Sequence, residues 1–119
     1  MDSIRKQRIE SAIVRLISEM IVSGKVKDPR VGFVTVHRAK ISPDLNYLSV
    51  WVTSYCTPAE KRKLLKGLHS ASSFIQSVIS EQLRLRVTPK LHFLWDDDYI
   101  KALEVNELID KSAPKEEES

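Results

Sequence analysis

The chain has 119 residues, 42% of them hydrophobic, enough for one compact core and too few for two cores and a linker. With 29% charged residues, 3 glycines and a single cysteine, Cys56, it fits neither a low-complexity disordered chain nor a disulfide-stapled miniature, and one thiol builds no internal disulfide or structural zinc site. The formal net charge of +3 conceals an asymmetry: residues 1–90 hold 16 Lys and Arg against 7 acids, and residues 91–119 hold 3 Lys against 9 acids.

From Ile4 to Ser23, the apolar residues Ile9, Ile13, Leu16, Ile17 and Met20 recur at three- and four-residue steps, the stripe of an amphipathic helix. Asp2 or Ser3 caps it and Gly24 ends it. Arg5, Arg8 and Arg15 lie within about 80° of one another off that stripe, so the helix shows water a basic face. Because the same helix carries Glu10, Arg15 and Glu19, no segment reads as membrane-spanning. No secretory signal is visible either, and the lone thiol agrees with a reducing compartment, so a soluble cytoplasmic protein is expected.

Lys27-Asp28-Pro29-Arg30-Val31-Gly32 carries turn chemistry. Phe33 to Ile41 then reads as a strand, Ser42-Pro43-Asp44-Leu45-Asn46 as a turn, and Tyr47 to Tyr55 as a second strand, most simply an antiparallel hairpin. In the second strand Leu48, Val50 and Val52 point toward the helices, while Tyr47, Ser49, Trp51, Thr53 and Tyr55 point the other way. Thr57-Pro58-Ala59-Glu60 starts a helix with a hydroxyl cap, a first-turn proline and a glutamate three residues after the cap. Helix continues to about Leu85, with Gly67 and Ser70-Ala71-Ser72-Ser73 weakening its middle, so two helices joined by a kink or tight break are expected. Lys90 to Trp95 reads as a third strand with Leu91, Phe93 and Trp95 on one side, and Asp96-Asp97-Asp98 as the acidic start of a short helix over 99–108. Residues 1–109 thus form one domain and 110–119 an acidic disordered tail. The order defines an α+β fold, a three-stranded sheet with helices on one face.

Several stretches in that order resemble a known family. They are Lys27-Asp28-Pro29-Arg30-Val31-Gly32, Ser42-Pro43-Asp44-Leu45, Tyr47 to Thr53, Ser70-Ala71-Ser72-Ser73-Phe74-Ile75, Leu83-Arg84-Leu85-Arg86 and Pro89-Lys90-Leu91-His92-Phe93. The αββααβ order is that of a KH-like domain of bacterial type, and residues 1–108 resemble the ribosome-binding factor A family of small-subunit assembly factors. KH domains hold nucleic acid at a Gly-x-x-Gly turn between two helices. The resembled family has an Ala-x-Gly kink there, and this chain has Ala71, Ser72 and Ser73, with serine in place of the glycine.

The resemblance implies a non-enzymatic RNA-binding factor that docks on the small ribosomal subunit. Its role would be late maturation of ribosomal RNA, including 5′ end processing, with particular need in the cold. It implies a monomer with no cofactor, metal, membrane or small-molecule substrate. The candidate RNA contacts are Arg5, Arg8 and Arg15, then Arg30, then Lys61, Arg62, Lys63 and Lys66 before the kink, Ala71, Ser72 and Ser73 at it, and Arg84 and Arg86 after it, cations suited to phosphate.

Other features have blander and sharper readings. Tyr47, Trp51 and Tyr55 could stack bases as an exposed sheet platform, or simply reflect the strand preference of aromatics. Asp96, Asp97 and Asp98 could suit a hard cation, but a helix start explains them. His37, His69 and His92 lack paired partners in the sequence, and Cys56 suits strand-end packing. A Walker loop, a dinucleotide fingerprint and a nucleophile elbow are absent, so nothing argues for catalysis. The alternative to an RNA binder is a protein-interaction module whose acidic end meets a basic partner.

Overall fold

The structure, a computed structural model, describes residues 3–112, with side chains through residue 106. The elements are α1 (Ser3–Val22), β1 (Thr35–Ile41), β2 (Tyr47–Thr53), α2 (Pro58–Ser70), α3 (Ser72–Leu83), β3 (Lys90–Trp95) and α4 (Asp97–Ser112). The sheet order is β1-β2-β3, with β1 antiparallel and β3 parallel to the central β2.

The core forms where the apolar stripes of α1, α2 and α3 meet one face of this sheet. Ile13 and Ile17 of α1, Leu68 of α2, Ile75 and Ile79 of α3, and Leu48, Val50 and Val52 of β2 are all essentially sealed from solvent. Each such side chain stabilises the fold by roughly 1.5–3 kcal/mol. The Leu48, Val50 and Val52 alternation is therefore as the sequence predicts. Helices also cover both sheet edges: Glu10 Oε2 accepts from the Ile41 N–H of β1 at 2.7 Å, and Gln76 Oε1 accepts from the Leu91 N–H of β3 at 3.2 Å, which leaves fewer unpaired edge groups.

Local signals set the element ends. Gly24 closes α1 at φ +77, with Lys25 N–H donating to Met20 O and Gly24 N–H to Ile21 O, a pattern that needs a left-handed residue glycine adopts without strain. Thr57 and Glu60 form both bonds of a capping box at the start of α2. The Glu60 carboxyl is held below its usual range, first by the Thr57 backbone N–H and then by the Thr57 hydroxyl. Asp96 caps α4 by accepting from Tyr99 N–H at 3.1 Å.

Four details differ from the sequence expectation. β1 opens at Thr35, not Phe33, and its register shifts between Val36 and Arg38. The bulge has a reason: Val34 and Val36 occupy even positions and Ala39 and Ile41 odd ones, so without an extra residue Arg38 and Lys40 would face the core. β2 ends at Thr53, so Tyr55 lies beyond the strand and is fully exposed. α3 ends at Leu83, where Arg84 adopts a left-handed φ of 51. α4 runs to Ser112, past the expected end at 108, and residues 113–119 of the expected tail lie outside the described residues. Among the described residues no helix is long and apolar enough to cross a membrane.

Candidate nucleic-acid interface

The break between α2 and α3 falls on Ala71, with φ −84 and ψ −3. These angles sit beside the helical region, so the chain bends there without a left-handed residue. Ser73 has no positive φ. The backbone therefore does not need glycine at this position, and the kink survives the serine. Ser73 is exposed and Ala71 half-buried, while Ser72 is buried and donates its hydroxyl to Leu68 O at 3.1 Å. The hydroxyl of Ser72 is thus spent within the helix pair, and that of Ser73 faces solvent. No acidic residue occupies the first turn of α3 and no side chain caps it; its start abuts the C-terminal end of α2, which shares Ala71 as its cap.

Packed against this kink is the segment that follows α1. Lys25, Val26, Lys27 and Asp28 line an open groove with Ser70, Ala71 and Phe74. Beside it, Arg30, Lys66, His69 and Ser70 line a second one with Leu65 and Phe93. Arg30 donates from Nε to Asp28 Oδ1 at 2.9 Å and from Nη2 to Asp28 Oδ2 at 2.6 Å, and also from Nη2 to Ser70 Oγ at 3.0 Å. The loop is thereby tied to the last turn of α2.

That close approach depends on Gly67. A Cβ there would lie 2.8 Å from Val31 Cγ2 and 3.0 Å from Arg30 Cβ. The sequence suggests Gly67 as a weak point between two helices, but it sits inside α2, where its missing side chain admits the loop.

Arg30 holds the Asp28 carboxyl at about 2, against a usual 3.8, chiefly through the side-chain hydrogen bonds and then through its backbone N–H. A depressed carboxyl contributes stability that is full above pH 3.8 and is lost as pH falls through about 2. Carbon-detected NMR should find the Asp28 midpoint near 2, and in Arg30→Ala it should return toward 3.8; an unchanged midpoint would show that the tie does not hold in solution.

The candidate cations do not all gather at the kink. Lys66 and Arg30 do, and Lys63 shares a further groove with Arg30, Pro29, Phe33 and Tyr55. Lys61 instead turns toward the sheet, its Nζ 4.8 Å from the Trp95 ring centroid. Lys61 and Arg62 start α2, about 15 Å along the axis from Ala71. Arg84 and Arg86 are exposed past the far end of α3, about 18 Å from the kink. Arg5 and Arg8 are exposed on the first half of α1, more than about 20 Å from its C-terminal end. Arg15 lines a groove with Glu10, His37 and Arg38, between α1 and β1. The residues missed by sequence reading are Lys25, Lys27 and Phe74. A turn-rich segment after a helix says nothing of which helix pair it will cover.

Asp96 and Asp98 also have structural duties. Arg38 Nε lies 3.6 Å from Asp96 Oδ2 and Nη2 lies 3.5 Å from Asp98 Oδ2. His37 gains partners too: Nε2 is 2.6 Å from Thr53 Oγ1, and the ring stacks on Tyr99 with centroids 4.0 Å apart. Cys56 is half-buried and unpaired by any disulfide.

An αββααβ chain with three helices on one sheet face and a small-residue kink between the central pair is a KH-like domain. A family model of ribosome-binding factor A matches residues 5–109. The ribosome-binding factor A of Leptospira biflexa is 50% identical over 115 residues, 97% of this chain and 77% of that protein. The crystal structure of ribosome-binding factor A from Thermus thermophilus superposes with a TM-score of 0.64 at 28% identity, covering 75% of this chain and 93% of the other. A homology model of the Thermus thermophilus factor, fitted into the cryo-EM map of a 30S complex, gives a TM-score of 0.59 at 28% identity over 75% of this chain and 92% of that one. This chain belongs to the ribosome-binding factor A family.

Proposed function

We propose that the chain binds the small ribosomal subunit through the kink face and assists late maturation of its RNA, including 5′ end processing, without catalysing a reaction. The observation that carries this is the surface itself: Lys25, Lys27 and Lys66, with the Arg30–Asp28 pair between them, around a helix bend whose side chains at Ala71 and Ser73 are small. Such a surface grips phosphates of a folded RNA and reads little sequence. Support comes from the relative fitted into a 30S complex.

Binding that favours one RNA arrangement raises the population of that arrangement, so a binder can act as a folding check. Arg5, Arg8, Arg84 and Arg86 add long-range attraction from elsewhere on the molecule, in the cytoplasm where ribosomes assemble. Co-sedimentation with separated small subunits, large subunits and joined ribosomes tests the reading. Enrichment on free small subunits alone is expected; equal recovery on large subunits would overturn it in favour of non-specific polyanion binding or of the protein-interaction alternative.

A further inference from the structure

The side of the sheet away from α1, α2 and α3 has no role in the kink surface. Its outward positions follow from the register: Arg38 and Lys40 on β1, Tyr47, Ser49 and Trp51 on β2, and Lys90, His92 and Leu94 on β3, with Arg38 beside Trp51, Lys40 beside Ser49, Tyr47 beside Lys90 and Trp51 beside Leu94. None of these eight is acidic. Tyr47 is 50% and Leu94 41% exposed. Arg38 lays its guanidinium 4.2 Å from the Trp51 ring centroid, and Tyr47 tilts against His92 with centroids 5.7 Å apart. Asp96 and Asp98 bound the face at the Arg38 corner, and His37 with Tyr99 of α4 closes its Thr53 end, so the open part runs from Trp51 to Tyr47. Among the described residues Lys40 and Lys90 have no carboxylate at ion-pair distance.

We propose that this open sheet face is a second nucleic-acid surface that takes a short unpaired stretch of RNA, about two or three nucleotides. Two features select that ligand. The face is cationic at both edge strands, with Lys40 on one and Lys90 on the other, and between them it offers planar groups, the Tyr47 ring and the guanidinium-on-indole pair of Arg38 and Trp51. Bases stack on aromatic rings and on guanidinium planes, each worth roughly 1–3 kcal/mol, whereas bases inside a duplex are not available to do so. An acidic peptide would use the lysines and leave the rings idle. A second copy of the chain, docked by two-fold symmetry, would set like charges against like. The domain would then hold folded RNA at its kink and a single strand on its opposite side.

The test is titration of the full chain with a 5′-labelled hexauridylate, read by anisotropy and by tryptophan emission, using Trp95→Phe so that emission reports Trp51. Saturable binding with a changed Trp51 emission is expected. Tyr47→Ala, and separately the pair Lys40→Glu and Lys90→Glu, should each weaken it at least tenfold. These side chains are exposed, so circular dichroism should show intact folds. Reversal of Lys25, Lys27 and Lys66 should change hexauridylate affinity less than threefold, so failure here and failure at the kink are separable. The proposal is overturned if the sheet variants bind as the parent does, if Trp51 emission is indifferent to the oligonucleotide, if an oligoglutamate of equal charge competes equally well, or if light scattering finds a dimer burying this face.

Discussion

Reversal of Lys25, Lys27 and Lys66 to glutamate in one protein is expected to weaken binding to free small subunits about 100-fold near 0.1 M salt, roughly 3 kcal/mol. All three side chains are exposed and line the two grooves at the kink, so the loss should come from phosphate contacts and not from folding. Surface changes of this kind usually alter stability by less than about 0.5 kcal/mol. The slope of log affinity against log salt should flatten by about two to three units, since each lost phosphate contact removes close to one released counterion. Arg5→Glu with Arg8→Glu is the matched comparison, because those cations sit at the far end of α1. Filter binding across salt concentrations should show less than about threefold loss for that pair. Equal losses from both sets would mean that the whole basic body attracts RNA and that no surface is singled out.

Gly67→Ala should lower stability by up to about 2 kcal/mol, and Gly67→Val by more. Helix propensity alone predicts the opposite sign, because alanine inside a helix is favoured over glycine by about 1 kcal/mol. The new Cβ, however, meets Val31 Cγ2 at 2.8 Å and Arg30 Cβ at 3.0 Å, and overpacking against a loop held by its own hydrogen bonds typically costs about 1–3 kcal/mol. Arg30 Cβ cannot swing away as a flexible chain end would. A net effect of this size lowers the melting temperature by up to about 10 °C. Val31→Ala removes the nearer of the two contacts, the Val31 Cγ2 methyl, so the double variant Gly67→Ala with Val31→Ala should lose less than the sum of its parts. If Gly67→Ala melts higher than the parent, the loop is not seated on α2 as described.

Much of the fold was legible because its signals are local. Gly24 ends α1 by adopting the backbone angle that the closing bonds from Gly24 N–H to Ile21 O and from Lys25 N–H to Met20 O require, and Thr57 with Glu60 closes a capping box within four residues. Leu48, Val50 and Val52 announce a buried strand face by alternation alone. The bulge in β1 was half-visible. The switch from Val34 and Val36 to Ala39 and Ile41 is written in the chain, but only pairing with β2 shows which residue is extra. The candidate site was legible in part. Ala71, Ser73, Lys66 and Arg30 do meet, whereas Arg5, Arg8, Arg84 and Arg86 stand apart.

What the amino-acid order determined by itself, then, is the set of helices and strands, the stops at Gly24 and Thr57, and the sign of the charge on the body. These depend on neighbours a few positions apart, and the physics that decides them acts within one turn or one pleat. Tertiary structure alone decided that Lys25 and Lys27 join the kink, that Gly67 admits a loop rather than breaking a helix, and that Arg38 lies over Trp51 on an open face. Those outcomes bring together residues 13 to 46 positions apart, and nothing in a charge or a turn signal states which distant surface will be adjacent until the shared core has fixed the elements in space.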